Sequence, residues 1–408
     1  MDINAVGRYL LKTRKLYKLT QEELADRLQV SRQAISKWET GAALPDIESL
    51  LTLSALYGVT VNEIMEADES KIMRRLKPAA CKEAGEHKDI GVIGCGRWGT
   101  FIGWYLDKIG HNVTIYGRKE SAHLGILMRG HGNEYVSLRE EIALTHDIHE
   151  ILKKEIIIVS IAAQGLAELM SQLAELQVQN KIFVLCMKGL DIASGRRLSQ
   201  IVDDTLDKSN KTAVWLGPGH VEDYYAGIPN CMVIDGKDEF LKKELISWFS
   251  SDLIRFYYGV DLVGNEIGAA AKNVIGIAAG MLDALGYRSL KGPLMTRGTH
   301  EVAGLIKAMG GKELSAYGLC HLGDYEATLF SEHSHNRQFG EKFVLKQPYE
   351  ALAEGYYTVK AIVKLAKNYG VEVPICNTVY EILYQDAEPQ KALDKLFDRS
   401  IKEEFRMI

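Results

Sequence analysis

Hydrophobic residues follow two different periods along this chain, and the change from one to the other divides it. In TQEELADRLQVSRQAISKWETG, Leu24, Ala25, Leu28, Ile35 and Trp38 recur at the spacing that gathers side chains onto one helical face. Thr20 and Ser31 each precede such a run and suit N-cap positions, so two short helices joined by a tight turn are predicted. From Asp89 the apolar residues come instead in short runs. IGVIG, NVTIYGR, EIIIVSIA and KIFVLCMKG read as strands, and WGTFIGWYLDKIG as the helix after the first. Alternating strands and helices predict a parallel sheet with crossover helices. Past Lys188 the composition turns helical, and DLVGNEIGAAAKNVIGIAAGMLDALG carries the small residues that permit close helix packing. Between the two patterns, residues from about Glu66 to Lys88 are charged, alanine-rich and interrupted by Pro78, which predicts a linker with Ser70 placed to start a helix.

Composition narrows the class. The 408 residues suffice for two or three domains, and 47% hydrophobic with 25% charged residues is ordinary for a globular protein. No unbroken apolar run approaches the roughly 18 residues that span a bilayer, and MDINAVGRYLLKTRK lacks the features of a secretory signal, so neither a membrane segment nor a leader is expected. Six cysteines, Cys81, Cys95, Cys186, Cys231, Cys320 and Cys376, stand singly without metal-ligand spacing. They predict reduced thiols in the cytoplasm, without a disulfide framework or a zinc site. A net charge of −5 excludes blanket attraction to nucleic acid but permits one basic face. The second short helix offers such a face: Arg32, Gln33, Ser36 and Lys37 share one side and can present amide and guanidinium groups to base edges in a major groove. Gln21, opening the preceding helix, is placed to meet a phosphate.

Gly94, Gly96 and Gly99 follow a strand and open a helix at G-x-G-x-x-G spacing. This is the arrangement that turns tightly, lets the backbone approach a pyrophosphate and packs helix against strand. The second strand ends Ile115-Tyr116-Gly117-Arg118, lacking the acid that holds a ribose 2′-hydroxyl. Arg118 can instead meet a 2′-phosphate, favouring NADP(H), while Glu120 keeps NAD(H) open. In the apolar helix further on, Lys272 stands alone; a buried lysine loses basicity and becomes useful for proton transfer, and the alternative is a snorkelling surface residue.

Residues 1–66, including DIESLLTLSALYG and TVNEIM, resemble the Cro/repressor (XRE-type) helix-turn-helix family. That family often has glycine where Gln29 stands. A left-handed backbone at Gln29 would cost on the order of 1–2 kcal/mol. The resemblance implies DNA binding as a dimer, so a homodimer is expected; the alternative is a helical oligomerisation module with a merely solvated polar face. Residues from about 89 to 385 resemble the soluble NAD(P)-dependent glycerol-3-phosphate dehydrogenases. VIGCGRWGT, YGR, MKGL, GPG, AGIP, NEIGAAAKNVIGIAAG, MTRG, LGD, SHNRQFG and AEG occur in family order. Together these predict a multidomain chain: an all-α helix-turn-helix domain (1–66), a linker (67–88), an α/β Rossmann dinucleotide-binding domain (89–260) and an all-α C-terminal substrate domain (261–408).

The dehydrogenase resemblance implies site residues and a reaction, reduction of dihydroxyacetone phosphate to glycerol 3-phosphate or a closely similar step. Lys272 would exchange the proton, with Asn273 beside it; Lys188 would polarise the carbonyl; Asp324 and Thr328 would bind substrate and orient the lysine. Gly217, Gly219, Ser334, His335, Asn336 and Arg337 would complete the pocket for a small phosphorylated substrate. Gly94, Gly96, Arg97, Trp98, Gly99, Arg118, Lys188, Val221, His335 and Glu354 would hold NADP or NAD. Four departures stand out. His335 replaces an arginine, a loss for which Arg337 could compensate. Gly219-His220 replaces Ser or Thr followed by Phe, His321 replaces a glycine, and Ala162-Ala163 replaces Pro-Ser. His220, His321 and His335 are expected near one cleft. They reshape it for another phosphorylated hydroxyketone or a different anion, form a metal site, or are independent changes at its edge. A rival function follows from the same residues: a transcription regulator whose dehydrogenase-like body senses redox state or a phosphorylated metabolite.

Overall fold

In a computed structural model the described residues are 3–16, 19–57, 59–67 and 86–396. Most of the expected linker, with Ser70, Pro78 and Cys81, lies outside them. The chain forms two compact units, one N-terminal and one made by nearly all of the remainder.

The N-terminal unit contains helices α1 (Ile3–Leu16), α2 (Gln21–Leu28), α3 (Arg32–Glu39), α4 (Ile47–Tyr57) and α5 (Val61–Met65). Val6, Leu10, Leu24, Ala25, Ile35, Trp38, Leu53 and Ile64 form its core. Thr20 caps α2 in a reciprocal capping box with Glu23, and Ser31 caps α3 by accepting from the Ala34 N–H. Gln29 adopts the left-handed conformation (φ 53°), so the non-glycine turn does carry its strain. Arg32, Gln33 and Lys37 are exposed along α3, with Ser36 half-buried beside them.

A buried carboxylate ties three of these helices together. Glu39, at the end of α3, accepts from Arg14 Nε (2.5 Å) and Nη2 (3.0 Å) on α1, and from Gln21 Nε2 (2.7 Å) on α2. The expectation that Gln21 reaches for a phosphate therefore needs correcting. Its amide nitrogen turns inward, because a carboxylate whose side chain is 3% exposed needs every donor within reach.

The second unit is built on one eight-stranded sheet: β1 (Asp89–Ile93), β2 (Asn112–Tyr116), β3 (Ala143–Thr145), β4 (Ile156–Val159), β5 (Ile182–Leu185), β6 (Lys211–Leu216), β7 (Asn230–Gly236) and β8 (Ile254–Tyr258). Their order is β3-β2-β1-β4-β5-β6-β7-β8, and all neighbouring pairs are parallel except β6 with β7. Strands β6 to β8 lie beyond Lys188, where the composition predicts helix. They extend the sheet outward from β5, β6 pairing with β5, β7 with β6 and β8 with β7. Central β4 and β5 are buried at every position, as expected for a sheet covered on both faces.

After β8 the chain becomes helical around the 23-residue helix Leu262–Ala284. That helix is long and apolar enough to cross a bilayer, yet it is almost wholly buried inside this unit. Its glycines let neighbours approach: a Cβ on Gly280 would lie 1.9 Å from the Arg337 carbonyl oxygen of the helix His335–Val344. Near its start Glu266 accepts from Arg197 Nη1 (2.5 Å), Ser199 Oγ (2.6 Å) and Ser199 N (2.9 Å). These bonds anchor the helix to the opening of Leu198–Thr205, which packs beside the sheet.

Arg14→Ala would strand Glu39 as a buried, under-satisfied charge. It is expected to lower the opening free energy of α1–α3 amides, read by hydrogen exchange, by about 3–5 kcal/mol, whereas Arg14→Leu with Glu39→Leu should cost far less. Equal losses in the two variants would show that the ion pair does not carry this effect.

Candidate active site

The glycine turn at the end of β1 has the geometry of a phosphate cradle. Gly94 has φ +118°, and a Cβ there would fall 2.1 Å from the Ser160 carbonyl oxygen. A Cβ on Gly99 would lie 2.0 Å from the Gly94 oxygen, so the helix can sit this close only without one. Gly96 differs: its Cβ position meets nothing within 4 Å. It is also the N-cap of the helix Arg97–Lys108 and provides no side-chain cap, leaving the helix's first N–H groups facing that clear space. Two tight glycines around one open glycine suit a dinucleotide pyrophosphate. Trp98 packs toward the sheet core against Phe101 (5.1 Å) and Tyr224 (6.2 Å). Arg118 and Glu120 stand exposed beyond β2.

Across the carboxyl ends of the strands, a single carboxylate draws two lysines together. Asp324 Oδ2 accepts from Lys272 Nζ and from Lys188 Nζ, each at 2.7 Å. Their side chains are 1%, 8% and 22% exposed respectively, so the cluster is nearly dry and opens on the Lys188 side. Lys188, just past β5, also donates to the Gly217 carbonyl (2.7 Å) in the loop after β6. Lys272 donates to Thr328 Oγ1 (2.8 Å), whose own proton goes to the Asp324 carbonyl (2.7 Å). Thr328 is thereby fixed as an acceptor. Burial pushes the Lys272 amine down to about 7; the Asp324 charge opposes that shift and the Lys188 charge adds to it.

Asn273 follows Lys272 and accepts from Asn336 Nδ2 (3.1 Å), while Asn336 Oδ1 accepts from Gly355 N (2.9 Å). Glu354 Oε1 accepts from Ala163 N (3.1 Å). Its Oε2 is buried without a partner, as is the Thr358 hydroxyl, and burial raises the Glu354 carboxyl. Val221 is buried where the short helix Val221–Tyr225 begins.

Several expected site residues are committed elsewhere. Arg337 donates to Asp283 (2.8 Å), which it shares with Lys291, to Glu341 (3.1 Å) and to the Ser331 carbonyl (3.1 Å), so its donors are committed there and it does not replace the arginine missing at 335. Ser334 caps its helix by accepting from Arg337 N (3.3 Å). His321 is fully buried, pairing Nδ1 with the Gly268 carbonyl (2.8 Å) and Nε2 with Tyr325 Oη (2.7 Å). Burial lowers it to about 4, so it is a neutral core imidazole and not a pocket group. The three histidines therefore do not converge. Among the described residues no group of three His, Cys, Asp or Glu side chains could hold a metal. Gly219 also has a local cause: φ is +127°, and a Cβ would lie 2.4 Å from the Tyr224 ring, so a side chain there is excluded.

His220 and His335 do border the cleft. His220 Nε2 donates to the Ala327 carbonyl (2.9 Å) beside Thr328. His335 Nδ1 pairs with Tyr349 Oη (2.7 Å), and its Nε2 lies 3.5 Å from Arg97 Nη1. Sequence reasoning missed Glu222, which pairs with Arg97, as well as Tyr349, Tyr224 and Thr358. No motif marks any of them: Glu222 meets Arg97 only across 125 positions, and Tyr349 meets His335 across 14.

Comparison with known proteins agrees with these two units. Residues 89–241 and 261–394 match the N-terminal and C-terminal parts of NAD-dependent glycerol-3-phosphate dehydrogenase, and residues 10–64 match a helix-turn-helix domain. Glycerol-3-phosphate dehydrogenase, NAD(P)+, of Thermotoga sp. strain RQ2 is 33% identical over 323 residues, covering 77% of this chain and 98% of that protein. The same enzyme of Fusobacterium nucleatum is 33% identical over 330 residues, covering 78% and 98%. Among solved structures, the glycerol-3-phosphate dehydrogenase of Coxiella burnetii superposes with a TM-score of 0.71 at 26% identity, over 77% of this chain and 99% of that one. The Plasmodium falciparum glycerol-3-phosphate dehydrogenase shares the fold, with a TM-score of 0.67 at 18% identity over 78% and 97%.

The Lys272 amine is expected to titrate near 7, measurable through the pH dependence of its labelling by an amine reagent. Asp324→Asn removes the charge that raises this pKa and should move the midpoint lower; Lys188→Met removes a like charge and should move it higher. Shifts of the opposite sign would contradict the arrangement.

Proposed function

Because the chain belongs to the NAD-dependent glycerol-3-phosphate dehydrogenase family, with a helix-turn-helix domain preceding the enzyme body, we propose that it reduces dihydroxyacetone phosphate to sn-glycerol 3-phosphate. The observation that carries this reading is the Asp324 carboxylate held between Lys272 and Lys188. When bound, the nicotinamide supplies the hydride. Lys188, which reaches the more open side of the cluster, polarises the ketone and stabilises negative charge as it develops on the oxygen. Lys272 delivers the proton to that oxygen, and its lowered pKa makes the transfer easy near neutrality. Asp324 and Thr328 keep its Nζ in place, while Asn273 and Asn336 brace the neighbouring helix turn.

The cofactor we favour is NADPH, because exposed Arg118 follows a second strand that lacks the usual terminal acid; Glu120 nearby tempers this preference without excluding NADH. The body then works as a cytoplasmic enzyme and, with its DNA reader, as a homodimer. Arg32, Gln33, Ser36 and Lys37 on α3 would read base edges. A second reading rests on that α3 face. In it the body senses a phosphorylated metabolite or the redox state, and the DNA-binding unit reports it.

Lys272→Ala should reduce turnover with dihydroxyacetone phosphate by about 10²–10⁴-fold while cofactor affinity changes little. Parallel loss of cofactor binding would count against a role in proton transfer. For the wild type, reduction needs the Lys272 ammonium and should fall as pH rises through about 7, whereas glycerol 3-phosphate oxidation needs the free amine and should rise. Negligible turnover at every pH would favour the sensor. In gel-shift assays with a selected operator, Arg32→Ala or Gln33→Ala should cost about 1–3 kcal/mol and relax base preference. An unchanged preference would point to the oligomerisation role.

A further inference from the structure

Arg97 is the fourth residue of the glycine motif and the first of the helix that follows Gly96, yet its side chain leaves that turn toward Glu222 and His335. Its Nη2 is ion-paired with Glu222, its Nη1 lies 3.5 Å from His335 Nε2, and its guanidinium lies over the Tyr135 ring (4.8 Å). A guanidinium can only donate, so His335 Nε2 must present its lone pair and carry its proton on Nδ1, toward Tyr349. Burial and the Arg97 charge both lower the His335 pKa, so this imidazole is held neutral and adds no positive charge of its own. Arg337, on the same helix as His335, is committed to Glu341 and to Asp283, which it shares with Lys291.

What remains at this point of the cleft is one guanidinium with an unfinished bonding pattern. Arg97 Nε is buried and has no hydrogen-bond partner. An unsatisfied buried donor of this kind is costly unless a ligand oxygen completes it. The neighbours of Arg97 connect it to Lys272. His335 is followed on the same turn by Asn336, which bonds Asn273 next to Lys272. His220, bonded to the Ala327 carbonyl, is lowered first by burial, then by the charges of Arg97 and Lys272. For Glu222, burial would raise the carboxyl, but the Arg97 bond and charge outweigh it and hold it below its ordinary value; it is an anion in place.

We propose that Arg97 is the cation that binds the substrate's phosphate monoester, and that Glu222 occupies it until the phosphate displaces the carboxylate. Position 335, where an arginine is expected, is then free to be histidine because the guanidinium arrives from the other wall of the cleft. This rests on the reading of the pocket as one for a phosphorylated substrate, and it gives that pocket a built-in competitor. It also reverses the simplest expectation for a restored arginine. His335→Arg alone would set two guanidinium groups side by side and should not improve binding, whereas His335→Arg with Arg97→Ser should keep it.

The test is equilibrium titration of the full-length protein with glycerol 3-phosphate and with inorganic phosphate, by calorimetry, without requiring turnover. Arg97→Ala should weaken both by about ten-fold or more, Arg97→Lys by less, and Glu222→Gln should tighten both several-fold. The double variant should bind within a few-fold of wild type. Wild-type affinity in Arg97→Ala, weaker binding in Glu222→Gln, or no binding of either anion to the wild type would overturn the proposal. So would a loss in Arg97→Ala confined to NADPH relative to NADH, which would assign Arg97 to the cofactor's 2′-phosphate. A protein that binds glycerol 3-phosphate through Arg97 but never turns over would leave this proposal standing and remove the dehydrogenase reading instead.

Discussion

Two ammonium groups compete for one oxygen of Asp324 in a nearly dry site, and the chemistry of the second unit depends on that competition. Burial lowers the Lys272 amine to about 7; the Asp324 charge, shared with the half-buried Lys188, only partly opposes this, and the Lys188 charge adds to it. The fold exists around this constraint. Lys188 arrives from the end of a sheet strand, Lys272 from the long central helix, and Asp324 from a single turn packed against that helix. The Glu266 bonds to Arg197 and Ser199 tie the start of the central helix to the sheet side.

Much of this could be read from residues alone, wherever the determining physics is local. Caps at Thr20 and Ser31, the left-handed Gln29 and the glycine turn each depend on a few consecutive residues, and each is found in place. Lys272 was legible as an anomaly, a charge in an apolar run, but its Asp324 partner is visible only by family resemblance. Strands β6 to β8 escaped because the composition past Lys188 reads as one helical stretch, whereas these three segments pair in turn onto the sheet edge that β5 leaves open.

The misreadings share another cause. Arg337, Gln21 and His321 look available in a motif, and each is taken by a partner remote or hidden in the fold: Asp283, Glu39 and the Gly268 carbonyl. Arg97 is the reverse case. Its place in the glycine motif suggests the cradle, but its contacts lie with Glu222 and His335, the latter 238 positions away. Gly219 departs from the Ser or Thr of the family, and beside Tyr224 it is the residue that the packing permits.

The central claim is that the paired lysines form a working hydride-transfer site. It is tested most directly by incubating the full-length protein with dihydroxyacetone phosphate and a reduced nicotinamide cofactor deuterated on C4, then analysing the product. The account predicts glycerol 3-phosphate carrying one deuterium at C2. Absence of that product, or its appearance without deuterium from either face of the nicotinamide, would contradict it.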